Sequence, residues 1–391
     1  MRSWPVVNVS LSLAVRGGVW LLRREACLLE GVQGTVVAWS RGHGTLRCEG
    51  NIGRHGIVDG GTRRPTREEK DHMMCPQEFQ PLDSAVIPRF AEPATFLRTP
   101  YVQSYAGLDI ALVGVPFDLG STNRAGARHG PAQIREMSRL IRRVNASSAI
   151  APFDLCQVAD VGDVPQNPLD LADSIQKIQA FFATLHAAGV VPVTAGGDHA
   201  ITLPILRALT TEGPVGCIHF DAHADTLDTL LGTKINHGTP FRRAVEEELI
   251  DPRRMIQIGL RGTRYSDEDI AFGYDVGMRL ITMDEYEEMG RAHVITEARR
   301  VVGEGPTYIT FDIDGLDPIY AIGTGAPEPG GLSMRDAQVM LRGLRGLQLI
   351  GGDVCEVSPP LDPTGHTALN AANLMFEILC VVADAVAQRR T

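Results

Sequence analysis

An alternation of short apolar runs and longer helical stretches constrains this chain most. From about residue 85, apolar runs fall at Asp109–Val115, Val190–Thr194, Val215–Phe220, Met255–Leu260, Arg279–Thr282, Thr307–Asp312 and Leu347–Val357. Between them, helical patterning covers Gly130–Val144, Leu169–Ala188, Ile201–Thr211, Pro240–Leu249, Met289–Val302, Arg335–Leu344 and Ala368–Val386. Strands separated by helices are joined by crossovers, which gives parallel pairing with helices on both faces of the sheet. Runs such as Tyr308-Ile309-Thr310-Phe311 suit strands buried on both sides. The expected fold is α/β: a three-layer αβα sandwich with a mostly parallel central sheet. No internal repeat or low-complexity linker interrupts it, so residues 74–391 read as one catalytic domain.

Chemistry gathers where the strands end. In open α/β sheets, ligands bind beyond the carboxyl ends of the strands. Gly196-Gly197-Asp198-His199 follows Val190–Thr194, and Asp221-Ala222-His223-Ala224-Asp225 follows Val215–Phe220. Asp312-Ile313-Asp314 ends Thr307–Phe311, and Glu356-Val357-Ser358-Pro359-Pro360 ends Leu347–Cys355. In an extended chain, residues at spacing two share a side, so Asp221, His223 and Asp225 would converge if the extension persists. Glycines 196 and 197 would allow a positive-φ turn that points His199 back into the site. Asp198 alone would read as a cap for the next helix. All four segments together read as a metal site, because a core needs no such group of carboxylates and imidazoles.

Composition narrows the class. The chain has 391 residues, 44% hydrophobic and 21% charged, the proportions of a globular protein. No run reaches the roughly eighteen apolar residues of a membrane span, so no membrane partner is expected. A net charge of -10 argues against nucleic acid and suits a small cationic substrate. Seven cysteines are scattered with no CxxC pair, and Cys217 and Cys355 fall inside apolar strands. A reduced, cytoplasmic setting follows.

Residues 1–73 differ. They hold all three tryptophans and 11 Lys and Arg against 7 Asp and Glu, whereas the remainder carries 26 against 40. Residues 1–24 contain Arg2, Arg16, Arg23 and Arg24 and no acid, as in a transit peptide. Three explanations stand open: residues upstream of a true start at Met73 or Met74, a disordered or structured extension, or a leader that would make the protein mitochondrial.

The strand-end segments resemble the ureohydrolase family of arginases, agmatinases, guanidinobutyrases and guanidinopropionases. The resemblance covers about Asp83–Val386, with GGDH, DAHAD, FDIDGLDP and EVSPP in order. Asn123–Pro131 and His237–Arg243 look closest to the agmatinase and guanidinobutyrase branch. The loop Thr226–Asn236 lacks the pattern with which arginases hold an α-amino acid, so L-arginine is not the expected substrate. The implied fold is arginase/deacetylase-like, and the implied assembly is a homo-oligomer, a trimer or hexamer.

The resemblance implies two divalent ions. His199, Asp221, Asp225 and Asp312 would hold one; Asp221, His223, Asp312 and Asp314 would hold the other, with Asp221 and Asp312 bridging. Four carboxylates and two imidazoles make an oxygen-rich set that favours Mn²⁺, with Ni²⁺ or Co²⁺ as competitors. Four aspartates cancel two such ions, and a hydroxide would leave a charge that complements guanidinium. Two cations can bring the pKa of a water from 15.7 toward about 7. Asp225 would accept a hydrogen bond from the attacking hydroxide. His237 matches the family's proton-shuttle histidine, and Glu356 the carboxylate that pairs with the guanidinium. Ala326 and Asn236 fall to the substrate side with Glu356.

The expected reaction is hydrolysis of a guanidino C–N bond in a linear compound of the agmatine or 4-guanidinobutyrate type, giving urea and an amine. One departure bears on the substrate. Relatives read APGTGTPE where this chain has Ala321-Ile322-Gly323-Thr324-Gly325-Ala326-Pro327-Glu328, and Leu361 replaces a tyrosine. Loss of a threonine at Ala326 would admit an N-alkylated guanidine, free guanidine or a metformin-like biguanide. Two other readings are a catalytically silent subunit of a hetero-oligomer and a mononuclear zinc deacetylase. The second-site residues His223 and Asp225 speak against the deacetylase.

Overall fold

The computed structural model describes residues 79–390 and four short strands before them. The chain separates into the units Met1–Glu68 and Glu69–Thr391. In the first, Ala14–Arg16 pairs antiparallel with Val19–Leu21, and Leu29–Glu30 with Val36–Val37. The rest of residues 1–73, including the expected start at Met73 or Met74, lies outside the described residues.

The second unit is built on eight strands: β1 Ile110–Gly114, β2 Val158–Asp163, β3 Val191–Ala195, β4 Val215–Phe220, β5 Ile250–Leu260, β6 Arg279–Thr282, β7 Thr307–Asp312 and β8 Leu349–Cys355. They form one sheet in the order β6-β5-β4-β7-β8-β3-β1-β2. Every adjacent pair is parallel, so the sheet is wholly rather than mostly parallel.

Strand alternation splits the core into two layers. Ile218, Phe220, Ile256, Ile258, Ile309, Phe311 and Val354 point to one side. There they meet α1 (Gly130–Ser138), α8 (Arg291–Val302), α9 (Met334–Gly343) and α10 (His366–Gln388). Cys217, Met255, Tyr308 and Cys355 point to the other, against α3 (Leu171–Ala187), α4 (Thr202–Leu209) and α5 (Pro240–Glu246). α10 is apolar and 23 residues long, and it is the principal core helix. Leu374, Met375, Ile378 and Leu379 on it are fully buried, each stabilising by roughly 1.5–3 kcal/mol. Its approach to the sheet is close: a Cβ on Gly352 would lie 2.9 Å from Ile378 Cγ2.

β2 has no counterpart among the apolar runs. Its sequence, Val158-Ala159-Asp160-Val161-Gly162-Asp163, interrupts the hydrophobic pattern with two acids and a glycine. Asp160 is nonetheless fully buried. Its carboxylate accepts hydrogen bonds from Arg135 and from the backbone N–H groups of Phe96 and Gly162, which offsets its desolvation. Three short helices were also hidden from periodicity: α2 Pro152–Leu155, α6 Glu268–Val276 and α7 Met283–Met289. α1 stops at Ser138, short of the expected Val144. Cys217, Cys355 and Cys380 are buried and unbridged.

Candidate metal centre

The four central strands β4, β7, β8 and β3 are neighbours, so their carboxyl ends open onto one spot. His199 arrives from β3 on a turn that Asp198 caps by accepting the Ala200 N–H. Gly196 and Gly197 do not have positive φ, contrary to expectation. They are needed because the chain passes too close for a side chain: a Cβ on Gly197 would lie 1.8 Å from the Phe117 carbonyl oxygen.

His199 is fully buried, and its Nδ1 lies 3.0 Å from Asp225 Oδ2, 3.2 Å from Asp221 Oδ2 and 3.3 Å from Asp312 Oδ2. None of these approaches has hydrogen-bond geometry, so Nδ1 is a buried nitrogen without a hydrogen-bond partner. A second group adjoins it. His223 Nδ1 lies 3.4 Å from Asp221 Oδ1 and 3.2 Å from Asp314 Oδ2. Asp221 thus offers one oxygen to each group. Asp312 turns Oδ2 to the first group but uses Oδ1 to accept the Asp314 N–H, so only Asp221 has the bridging disposition expected of both.

Burial, then repulsion from Asp314 and Asp221, holds the Asp312 carboxyl well above the usual range. Burial and Asp221 push Asp314 up to about 7. Asp221 goes the other way, because three neighbouring histidines outweigh its burial. Four carboxylates packed this tightly resist ionisation together unless cations join them. The orphaned Nδ1 and the crowded acids therefore fit two hard divalent ions, one among His199, Asp221, Asp225 and Asp312, the other among Asp221, His223 and Asp314.

Asp225 does not continue an extended strand. β4 ends at Phe220, and Asp225 sits in the left-handed region at φ 53°. Glu356 is there too, at φ 64°. Each such residue costs about 1–3 kcal/mol, which the surrounding packing must offset. Glu356 is buried, accepts the His199 N–H through Oε1 at 2.9 Å, and faces His237 Nδ1 at 3.4 Å. Burial opposes protonation of His237, but Glu356, with Asp225 and Asp198 behind it, raises its pKa to about 9.

Asn236, expected on the substrate side, does not line the open cavity beside these groups. It is buried; its Oδ1 accepts the Gly238 N–H and its Nδ2 donates to the Thr233 carbonyl. It shapes the loop that delivers His237. Ala326 does face the open space, a cavity of ≈ 690 Å³ floored by Asp225, Asp312, Asp314, His237 and Glu356 and walled by Arg264, Tyr265, Asp269 and Tyr274.

A polar layer beneath the ligands is not marked by any of the strand-end motifs. Gln257, His219, Thr310, Asp353 and Thr194 are register partners across five adjacent strands, all fully buried. His219 Nε2 meets Asp221 Oδ2 at 2.8 Å, and Gln257 donates to the Ala224 carbonyl. Thr310 donates its hydroxyl proton to Asp353 Oδ1 at 2.6 Å, so its oxygen is left to accept from His199 Nε2 at 2.8 Å. That fixes the His199 proton on Nε2 and leaves the Nδ1 lone pair facing the acids. Asp353 is itself held by Tyr308 and Thr202 hydroxyls. A signal was present: His219 and Thr310 each stand two residues before a ligand, on the same face, in otherwise apolar strands. Asp353→Asn is expected to weaken the first ion's affinity roughly 10–100-fold, as read by competition with a chelator. An unchanged affinity would refute this orienting role.

Residues 108–381 match the arginase family. The chain belongs to it. It is 55% identical over 310 residues to a guanidinopropionase of Pseudomonas aeruginosa, covering 79% of this chain and 98% of the relative. It is 50% identical over 289 residues to a mitochondrial agmatinase of Gallus gallus, covering 74% and 85%. Among solved structures it resembles a proclavaminate amidino hydrolase of Streptomyces clavuligerus, with a TM-score of 0.74, 38% identity, and coverage of 76% of this chain and 99% of that one. The wholly parallel sheet and three layers are those of the arginase fold.

Proposed function

We propose that this arginase-family enzyme hydrolyses the guanidino C–N bond of a short linear guanidino acid, releasing urea and an amino acid. The observation that carries the hydrolase reading is the convergence of His199 Nδ1 with three carboxylates beside Glu356 and His237. Two divalent ions, Mn²⁺ ahead of Ni²⁺ or Co²⁺, would supply a water deprotonated near neutral pH.

The protein's own groups do the rest. Glu356 accepts N–H groups of the guanidinium and orients its plane. Asp225 accepts a hydrogen bond from the attacking oxygen. His237, next to Glu356, gives a proton to the departing amine. His223, Asp225, Asp312, Asp314, His237 and Glu356 line one cavity, and His199 and Asp221 lie against its acids, which favours an active subunit over a silent one.

The far end of the substrate is set by the cavity wall. Arg264 stands there, half exposed, with a loose partner in the fully exposed Asp267 at 3.4 Å. Of the other acids lining the cavity besides the candidate ligands and Glu356, Asp269 accepts the Tyr265 N–H at 2.7 Å, and Asp284 and Glu328 complete the set. An exposed guanidinium suits a carboxylate tail, as the similarity to guanidinopropionase also suggests. The test is urea release by the Mn²⁺-loaded protein from 3-guanidinopropionate, 4-guanidinobutyrate, agmatine, free guanidine and dimethylbiguanide. The acids are expected to lead. Arg264→Ala is expected to cost them about 1.5 kcal/mol, roughly tenfold in kcat/KM. Preference for agmatine would refute the acid reading.

One observation favours a second reading. Ala326 lines the cavity, and its neighbour Gly325 lies close enough to Glu356 that a Cβ there would be 3.4 Å from Oε2. The space beside the guanidinium suits an N-alkyl group, and a lead for dimethylbiguanide in the same panel would establish it.

A further inference from the structure

His237 is engaged at both ring nitrogens. Nδ1 faces inward to Glu356 at 3.4 Å, and Nε2 faces the Thr122 hydroxyl at 3.0 Å. Thr122 is exposed to solvent, whereas His237 is largely enclosed. The loop carrying Thr122 is pinned at several points. The Gly120 N–H donates to Asp198 Oδ2 at 2.7 Å, and the Gly120 carbonyl accepts the His237 N–H at 3.2 Å. A Cβ on Gly120 would lie 2.9 Å from Asp198 Oδ1, so only glycine allows this approach. Farther along, Asp118 accepts the Gly126 N–H at 2.9 Å and pairs with Arg128. A surface threonine is thus held on the outer nitrogen of a histidine by the same residue that caps the His199 turn.

We propose that the Thr122 hydroxyl carries protons between solvent and His237 during turnover, acting as a positioning and relay residue for the hydrolysis argued above, on which this inference rests. A hydroxyl both donates and accepts, so it can serve either tautomer of the imidazole. The His237 pKa of about 9 belongs to the metal-free chain, and two divalent ions nearby would favour the neutral ring with its proton on Nδ1. From that state the Nδ1–H bond breaks when the amine departs, and an N–H bond forms on the amine. Nε2 takes the Thr122 proton, and Thr122 takes one from solvent water. When a fresh water enters and loses a proton, that proton bonds to Nδ1. The Nε2–H proton returns to Thr122 oxygen, whose own proton leaves to solvent. The ring ends as it began, with no flip and no net change at Thr122.

The test compares Thr122→Val and Thr122→Ser with the unsubstituted protein, all loaded with Mn²⁺ and assayed on the best substrate of the panel. Valine keeps the shape and removes the hydroxyl. Thr122→Val is expected to lower kcat roughly tenfold, a part of what general acid–base catalysis supplies, with KM unchanged and an altered solvent deuterium isotope effect. Thr122→Ser is expected to restore kcat. Unchanged kcat and isotope effect in Thr122→Val would overturn the relay. So would equal loss in both variants, because that would make the methyl group rather than the hydroxyl the part that matters. A readout independent of turnover is the ¹⁵N resonance of His237 Nε2 in Mg²⁺-loaded protein, expected to shift in Thr122→Val and not in Thr122→Ser. No shift would refute the contact itself, whereas urea from no compound in the panel would refute the hydrolase reading instead.

Discussion

Asp221→Ala is expected to empty both cation positions and to lower kcat/KM by on the order of 10⁴-fold or more, about 5 kcal/mol. Asp221 is the one carboxylate with an oxygen on each side, at 3.2 Å from His199 Nδ1 and 3.4 Å from His223 Nδ1. Its loss should take bound Mn²⁺ from about two per chain to below one, as measured by elemental analysis after gel filtration. His223→Ala is the comparison, because the first group does not include His223 and should keep its ion. The fold should survive in both, since neither substitution touches the apolar layers that pack the two faces of the sheet. Two ions per chain and activity within tenfold in Asp221→Ala would refute the bridging role.

Glu356→Gln should leave metal content intact and lower kcat/KM by roughly 10²-fold, about 3 kcal/mol. Glutamine keeps the shape and can still accept the His199 N–H, which Glu356 accepts at 2.9 Å. What disappears is the charge facing the guanidinium and His237. The pH dependence of stability carries the second signature. The His237 pKa is raised to about 9, chiefly by Glu356 against the opposing effect of burial. A raised histidine pKa contributes stability that is complete below its ordinary value near 6.5 and lost as pH rises through the folded value. In metal-free protein, the unsubstituted chain should therefore exceed Glu356→Gln in stability by more at pH 6 than at pH 10, as read by urea unfolding. A gap that is equal at both would show that Glu356 does not hold the proton on His237.

Much of this was legible in the sequence, and the exceptions share a cause. The strands β4, β6 and β7 were readable to the residue because glycine, proline or charged residues bound each short apolar run. β2 was not, because Asp160 and Asp163 are compensated by Arg135, which is distant in sequence. The ligand residues were legible because their side chains make no sense in a core. How they reach the site was less so: Asp225 arrives through a left-handed backbone, and Gly197 is glycine for close approach rather than for positive φ. Asn236 read as a substrate contact because a loop amide beside His237 has two roles that sequence cannot separate. The row Gln257–His219–Thr310–Asp353–Thr194 exists only through register, a relation among strands far apart in the chain.

That row makes ion loading a report on correct assembly. A one-residue slip of β7 would turn Phe311 toward the site in place of Asp312 and would take Thr310 away from Asp353. Such a misregistered chain could bury its apolar residues about as well, since both faces of the sheet are packed. It could not gather the donors, so it would gain no free energy from divalent ions. Metal supply during synthesis would then favour the correctly aligned sheet over its nearest competitors, and chains folded under chelation should contain more inactive, compact protein that later addition of Mn²⁺ does not rescue.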